Sequence, residues 1–300
     1  MTSLPSVSGS TSTTTTGLRR TSGSTLASLP VGRALSYVVL GAGAAIMLLP
    51  FVWMVSTSLK APADVFVYPP QWLPNPVRWS NYADVMHVLP FGRYVLNTTL
   101  VATSVTALHL LVSSLAAYAF ARLRFPGRNR LFLAYLATLM VPGQVTLIPN
   151  FLIVKYLGWI DTYQALIVPQ AFSAFGTFLL RQFFLTIPRE LEDAARIDGA
   201  SALGVYWRII LPLSGPALAT LGVFTFTAQW NNFLWPLIVI NDEQLRTLTV
   251  GLRALVGQFT VQYQLLMAGS VIALVPMLVV FLLAQRFFVR GIALTGLAGR

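Results

Sequence analysis

The residues best suited to chemistry are four acids that stand close together in a chain with few charges. Glu190, Glu192, Asp193 and Asp198 are four of its nine acidic residues and lie within nine consecutive positions. Carboxylates in the first turn of a helix are stabilised by the positive end of the helix dipole. Glu192 also stands four residues before Arg196, the favourable order for an ion pair on a helix surface. This spacing predicts helix-start and ion-pair chemistry.

Catalytic and metal-binding chemistry is not indicated elsewhere in the sequence. The chain has no cysteine, and its only histidines are His87 and His109. It contains no GxxxxGK(S/T) pattern, so ATP hydrolysis would have to be the work of a partner. We therefore expect no catalytic residue, no metal ion and no cofactor. For His109, a hydrogen bond between helices is the preferred interpretation and a transport role is the alternative.

The segment that holds the acids is predicted to form two short helices. Pro188 suits a helix start, because its missing N–H costs nothing there. Gly199 supplies a stop that accepts positive φ, and Ser201 can cap a second helix that ends at Pro212. A plain solvated loop is the alternative. It does not explain a stripe of mostly small or apolar residues that would let another surface approach closely, namely Leu191, Ala194, Ala195 and Asp198.

The composition indicates a membrane protein. Of the 300 residues, 56% are hydrophobic and 10% are charged, and the mean hydropathy is +0.71. Soluble proteins carry roughly a quarter charged residues. Residues 1–30 are rich in Ser and Thr and poor in large apolar side chains, so we predict a disordered tail there rather than a cleaved signal peptide.

Six windows of about 20 predominantly apolar residues are long enough to span a bilayer. They are residues 35–59, 95–120, 131–154, 164–185, 213–240 and 265–286. The acidic segment falls between the fourth and fifth windows. It stays out of the hydrocarbon, because each ionised residue at a helix centre costs about 2.5–3.5 kcal/mol. The predicted fold class is an all-α membrane protein with six transmembrane helices.

The net charge of +11 is divided unevenly between the two sides of the membrane. With a cytoplasmic N-terminus, fourteen of the 20 Lys and Arg residues fall on the inner side and six on the outer side. The positive-inside rule therefore predicts that both termini and the acidic segment are cytoplasmic. It also argues against nucleic acid as a partner, because the basic cluster RLRFPGRNR at 122–130 becomes a short inner turn.

The acidic segment resembles the EAA motif of ABC importer permeases, E-A-A-x3-G-x9-I-x-L-P. The spacing matches at every marked position, and the one departure is Asp193 in place of the usual glutamate, with Glu192 directly before it. Either acid is a candidate for the family's acidic contact. The resemblance implies a cytoplasmic coupling helix, in the loop 186–212, that docks on a cytosolic ATPase. The residues it assigns to coupling are Glu192, Asp193, Ala194, Ala195, Asp198, Gly199, Ile209, Leu211 and Pro212.

The resemblance extends along nearly the whole chain. YAFARLRFPGRN at 118–129, VPGQVTLIPNF at 141–151 and QWNNFLWPLIV at 229–239 are similar to the carbohydrate-uptake branch, the MalG-like permeases of maltose transporters. This branch implies a permease domain over 31–300, with an N-terminal span and a MetI-like five-helix core over about 90–290. It implies an ATP-driven importer of the bacterial inner membrane. Its expected partners are membrane lipid, a second homologous permease, a cytosolic ABC ATPase dimer and an extracytoplasmic solute-binding protein.

The candidate solute pathway lies in the outer half of the fifth window. Amides are costly in lipid and tend to face a bundle interior or a watery cavity. Alternatively, the amides satisfy neighbouring helices and the tryptophans anchor the interface. Gln144, beside the helix-breaking Pro142 and Pro149, is a second candidate. The candidates of the fifth window are Gln229, Trp230, Asn231, Asn232 and Trp235.

Other functions stay open. A glycerol-phosphate importer of the same architecture would need cationic groups at its site, and the predicted spans hold no central lysine or arginine. A stand-alone secondary transporter would show repeated halves or intramembrane acids, and no acid falls inside a predicted span. A membrane scaffold or sensor would need an attached soluble domain. Carbohydrate import is therefore the preferred function.

Overall fold

The computed structural model describes residues 30–257 and 261–297, and the predicted tail 1–30 lies almost entirely outside them. The chain divides into two compact units after Pro50. The described residues are predominantly helical, which confirms the predicted all-α class. The α-helices in these ranges are α1 (Pro30–Ser58), α2 (Ser80–Val88), α3 (Phe91–Arg122), α4 (Arg128–Ala137), α5 (Gly143–Tyr156), α6 (Tyr163–Ile167), α7 (Ala174–Thr186), α8 (Glu190–Ile197), α9 (Ala202–Val205), α10 (Leu211–Leu213), α11 (Gly215–Trp230), α12 (Leu234–Val239), α13 (Leu248–Arg253) and α14 (Tyr263–Leu297).

Three single helices in the described chain are long and apolar enough to cross a membrane. They are Arg33–Ser58 in α1, Phe91–Arg122 as the whole of α3, and Tyr263–Leu283 in α14. These helices correspond to the first, second and sixth predicted spans. Helix α3 packs against α7, α11 and α13, so it forms the centre of the second unit.

The remaining spans are bent or broken. Three helix pairs pass the same test together, with bends of 98°, 45° and 77°. If each pair is one span, the described chain has six spans, which is the predicted number. The fifth span then begins at Ala202, inside the loop predicted over 186–212, and ends at Trp230 rather than at residue 240. The sharpest bend falls at Pro142, consistent with the helix-breaking role predicted for it. The pairs are Arg128–Met140 with Gly143–Tyr156, Tyr163–Gln170 with Ala174–Thr186, and Ala202–Leu213 with Gly215–Trp230.

Two of the interruptions were not predicted. The fourth span breaks before α7, where the side chain of Ser173 accepts a hydrogen bond from a first-turn N–H at 3.2 Å. The fifth window, 213–240, breaks after α11, where Asn231 Nδ2 donates to the carbonyl of Thr227 at 2.9 Å. Side chains that bond nearby backbone compete with continued helix. The window therefore forms α11 and a separate short helix, α12.

Packing around α3 holds the acidic segment in place. One buried cluster joins the C-terminal end of α3 to α7, to residues 202–210 and to the start of α11. The rings of Tyr118 and Tyr206 lie 5.3 Å apart in this cluster. The Tyr118 hydroxyl donates to the carbonyl of Ala202 at 2.9 Å, and the hydroxyls of Tyr206 and Ser114 lie 2.7 Å apart. These contacts fix α9 and the turn that follows it against α3.

The packing at the N-terminal end of α3 can be tested by a substitution at Gly251 in α13. A Cβ atom at this position would lie 2.1 Å from Cδ2 of Tyr94, which is fully buried. Gly251→Ala is therefore expected to lower the free energy of unfolding by about 1–3 kcal/mol, the usual cost of overpacking. Gly222→Ala is the control, since its Cβ would meet Leu110 at an ordinary 3.5 Å. Thermal unfolding in detergent measures both, and an unchanged midpoint for Gly251→Ala would contradict this packing.

Candidate functional site

The predicted helix over the acidic segment is α8. It begins two residues after Pro188, has acids in its first turn, and is followed by Gly199 with a φ of +83°. That backbone conformation is strained for a residue that carries a Cβ. The side chain of Ser201 then accepts a hydrogen bond from the N–H of Gly204 at 3.1 Å and caps α9. The predicted start, stop and cap are confirmed.

The two candidate acids occupy different environments. Glu192 is only 4% exposed, and its Oε1 lies 3.0 Å from Nε of Arg122 in an ion pair that lacks hydrogen-bond alignment. Its Oε2 lies 4.0 Å from Nη2 of Arg196, the predicted partner one turn away. Asp193 is exposed. Glu192 thus attaches α8 to the rest of the chain, whereas Asp193 stays at the surface.

Arg122 connects three helices. It is the last residue of α3, and its Nη2 donates to the backbone carbonyls of Phe184 and Ile187 at the end of α7. Its ion pair with Glu192 adds α8. Sequence alone identified Arg122 only as one of the inner positive charges. Helical periodicity relates residues three or four positions apart, so no pattern in a single sequence pairs Arg122 with α8.

One face of α8 stays open. Leu191, Ala194 and Asp198 of the predicted stripe are exposed, whereas Ala195 is half-buried and packs against the core cluster. Ile197 is 87% exposed, although the sequence did not single it out. Exposed apolar side chains rimmed by charged ones mark interaction sites. The open face of α8, defined by Leu191, Ala194, Ile197 and Asp198, has this character.

The C-terminal part of the motif forms a widened helical turn. Ile209 is half-buried and lies in a π-helical turn, Tyr206–Ile210, while Leu211 and Pro212 begin α10. Pro212 has no N–H to bond the carbonyl of Arg208, which accounts for a departure from the α-helical ladder here. Turns of this kind are frequent at functional sites.

The two candidate tryptophans lie in different parts of the core. Trp230 is buried, and its Nε1 donates to the carbonyl of Ala273 at 3.1 Å. Trp235 is buried, and its Nε1 donates to the carbonyl of Ala165 at 2.8 Å. These hydrogen bonds connect neighbouring helices inside the protein, so the alternative that the tryptophans anchor the membrane interface is wrong. Their role in a solute pathway stays a prediction.

The candidate amides are partly brought together. Asn232 is half-buried, and its Nδ2 donates to Oε1 of Gln229 at 3.3 Å. Asn231 and Gln144 are exposed, the latter in α5. In the part of the chain that the structure describes, no three His, Asp or Glu side chains come together to hold a metal ion.

Gln229 lines a cavity of about 350 Å³ beside the break before α7. Its Nε2 lies 3.5 Å from Oε1 of Gln170, a residue that the sequence did not indicate. His109 also lines this cavity, and its Nδ1 lies 3.1 Å from the hydroxyl of Thr225, which confirms the preferred hydrogen bond between helices. The other ring nitrogen of His109 has no hydrogen-bond partner. Further lining residues are Phe172, Ser173, Phe175 and Phe224.

Comparison with known proteins gives consistent matches. The family model for the binding-protein-dependent transport system inner membrane component matches residues 109–293. The sn-glycerol-3-phosphate transport system permease protein UgpE of Yersinia pestis is 39% identical over 265 residues, which are 85% of this chain and 94% of that protein. The arabinooligosaccharides transport system permease protein AraQ of Halalkalibacterium halodurans is 39% identical over 203 residues, which are 68% of this chain and 73% of that protein.

Solved structures agree in fold. A chain from a bacterial ABC transporter involved in the import of the acidic polysaccharide alginate has a TM-score of 0.78 and 26% identity, over 86% of this chain and 96% of that chain. A chain of the bacterial alginate ABC transporter in complex with an alginate pentasaccharide-bound periplasmic protein has a TM-score of 0.62 over 85% of this chain and 94% of that chain. At 16% identity, this likeness shows a shared fold and nothing further.

Proposed function

We propose that this chain, which belongs to the family of binding-protein-dependent transport system inner membrane components, forms half of the translocation pathway of an ATP-driven carbohydrate importer. As a member of that family it is a membrane-embedded transport permease and not itself an enzyme. A second, homologous permease completes the pathway, an extracytoplasmic binding protein delivers the solute, and both termini are cytoplasmic.

A cytosolic ATPase dimer docks on the open face of α8. The observation that carries this assignment is that α8 is attached to the chain on one side, through Arg122 and Glu192, and presents exposed Ile197 on the other. When the ATPase dimer closes on ATP, the docked helix moves. Arg122 then carries that movement to α3 and α7 as a rigid-body displacement, which switches access from one side of the membrane to the other.

The proposed solute is an uncharged carbohydrate. The cavity beside the break before α7 offers amides from Gln170 and Gln229, a hydroxyl from Ser173 and exposed aromatic rings. Ligand sites of about 300–1,000 Å³ combine apolar walls with a few polar groups in this way. The likeness to the arabinooligosaccharides permease AraQ supports the same class of solute. We therefore assign Gln229 and Asn232, with Gln170, to the solute pathway.

Glycerol phosphate is the second candidate solute. The likeness to UgpE, over 85% of this chain, favours it. A phosphate calls for cationic groups, and the residues lining this cavity include no lysine or arginine. A second permease or a binding protein could supply those groups, so the solute has to be measured.

Uptake by the reconstituted complex tests the proposal. The chain is co-purified with its ATPase, second permease and binding protein, and proteoliposomes are supplied with ATP and radiolabelled solutes. ATP-dependent uptake of a neutral oligosaccharide is the expected result. If only sn-glycerol 3-phosphate is taken up, the carbohydrate assignment is wrong but the role as an ATP-driven permease subunit stands. If this chain takes up solute without its partners, the carbohydrate importer and the need for an ATPase are both wrong.

A further inference from the structure

Arginines gather in the turn between α3 and α4 and in the first turn of α4. Arg124, Arg128 and Arg130 line a cavity of about 520 Å³, together with Arg189, which precedes α8. These four residues are called the arginine cluster. The cavity lies where α3 ends and the next bent span begins, which is the level of the lipid headgroups if these helices cross the bilayer. No role in docking or in the solute pathway has been assigned to it.

The arginine cluster is not neutralised within the chain. Arg122, which also lines the cavity, is paired with Glu192, but the ion pairs among the described residues include none of the four cluster arginines. Asp193 borders an adjoining cavity with Arg124 and Arg189 without pairing with either. Positive charges that share one cavity repel each other, so a bound anion would lower the free energy of the site.

The start of α4 adds fixed dipoles to these charges. The helix begins at Arg128, and no side chain caps its first turn. The N–H of Arg128 donates to the carbonyl of Phe125 at 3.4 Å. The N–H groups that follow it in the first turn have no partner inside the helix, and the positive end of the dipole favours an anion. Gly127, with a φ of +76°, turns the chain so that Gly127, Arg128 and Asn129 all line the cavity. Side-chain charges and the helix start therefore converge on one space.

Two exposed leucines follow the cavity along α4, on either side of its exposed surface. Leu131 and Leu133, which follow the arginine cluster in α4, are 57% and 69% exposed. A small soluble anion would use the cavity and leave these leucines uncovered. A lipid with an anionic headgroup would use both surfaces, with its acyl chains along α4. Basic pockets at the cytoplasmic ends of transmembrane helices bind such headgroups.

We propose that the arginine cluster binds the phosphate of an anionic phospholipid headgroup, with the acyl chains lying against Leu131 and Leu133. This site is separate from the cavity assigned to the solute. Its occupation neutralises the cluster beside Arg122 and so supports the connection between α3 and α8. The assignment does not depend on which solute is transported.

Native mass spectrometry of the full chain in detergent tests this site. The probes are dioleoyl phosphatidylglycerol, dioleoyl phosphatidylcholine and inorganic phosphate. Phosphatidylglycerol is expected to bind wild-type chain at least about tenfold more tightly than phosphatidylcholine, and Arg124→Gln/Arg130→Gln is expected to weaken its binding roughly thirtyfold. Arg78→Gln/Arg208→Gln removes the same charge from exposed positions outside the cavity and should bind like wild type.

Three outcomes would overturn the lipid assignment. The first is equal binding of phosphatidylglycerol by the two double variants. The second is displacement of phosphatidylglycerol by millimolar inorganic phosphate, which would make the site one for a soluble anion. The third is normal lipid binding by Arg124→Gln/Arg130→Gln together with lost ATPase association, which would make the cluster a protein surface. Thermal unfolding checks that each variant is folded, and Arg189→Gln replaces the double variant if it is not.

Discussion

Ile197→Asp is expected to abolish stable association with the ATPase subunit while the permease still inserts and folds. Ile197 is 87% exposed at the end of α8, so its replacement disturbs no internal packing. A buried charge at the centre of an interface costs about 2–4 kcal/mol, which is roughly a 30- to 1,000-fold loss of affinity. Co-purification of the ATPase with a tagged permease measures the loss.

The control for this variant is Leu73→Asp. Leu73 is 83% exposed and lies in the segment before α2, which the positive-inside rule predicts to be on the outer side of the membrane. It should retain the ATPase. If Ile197→Asp also retains the ATPase at wild-type levels, the open face of α8 is not the docking surface.

Ala194 and Ala195 differ in burial, so only one of them is a suitable position for a bulky substitution that tests docking of the ATPase. Ala194 is exposed, so Ala194→Trp should obstruct docking without disturbing the permease. Ala195 packs against the core cluster, so Ala195→Trp would also strain the fold. Gly199→Pro tests the stop after α8, since proline cannot adopt the φ of +83° found there. Ala194→Trp and Gly199→Pro are both expected to lose the ATPase.

Arg122→Met is expected to destabilise the permease by about 3–5 kcal/mol, the cost of leaving one member of a buried ion pair without its partner. The substitution leaves the Glu192 carboxylate, which is 4% exposed, with only Arg196 at 4.0 Å as an ion-pair partner, and it removes the donor to the carbonyls of Phe184 and Ile187. Thermal unfolding in detergent should show a fall in midpoint on the order of 10 °C. ATP-driven uptake should fall with it.

The double variant Arg122→Met/Glu192→Met distinguishes the loss of stability caused by an unpaired buried charge from the loss caused by altered packing. It removes the buried carboxylate that has lost its nearer partner, so it should recover part of the stability lost in Arg122→Met. Arg130→Met, at an exposed position in the first turn of α4, should unfold like wild type. If Arg122→Met unfolds like Arg130→Met, the connection of α3, α7 and α8 through this side chain is wrong.

Hydropathy predicted the long helices of the fold but not their interruptions. Windows of about 20 residues average over single positions, so they located α3 and α14 well. The same averaging hides the breaks before α7 and after α11, where the side chains of Ser173 and Asn231 bond nearby backbone. Pro142 breaks its span as predicted, whereas Pro149, predicted to act in the same way, lies inside α5 without ending it.

At the candidate docking site, the ends of the short helices were predictable from the sequence, but the burial of individual side chains was not. The stop at Gly199 and the cap at Ser201 follow from rules that relate residues a few positions apart. Which of the adjacent acids faces inward depends on Arg122, a residue in another helix. The same reason explains why Gln170 was missed, because it meets Gln229 only through the fold.

The absence of cysteine from the chain allows the docking claim to be tested directly. Ile197→Cys gives this chain its only thiol. That thiol is then coupled to a photoactivatable crosslinker in the complete complex in native membranes. A covalent adduct between this position and the cytosolic ATPase is expected, and none from Leu73→Cys. If Ile197→Cys gives no ATPase adduct, or if a membrane-impermeant maleimide labels it from the outer side, α8 is not the docking helix.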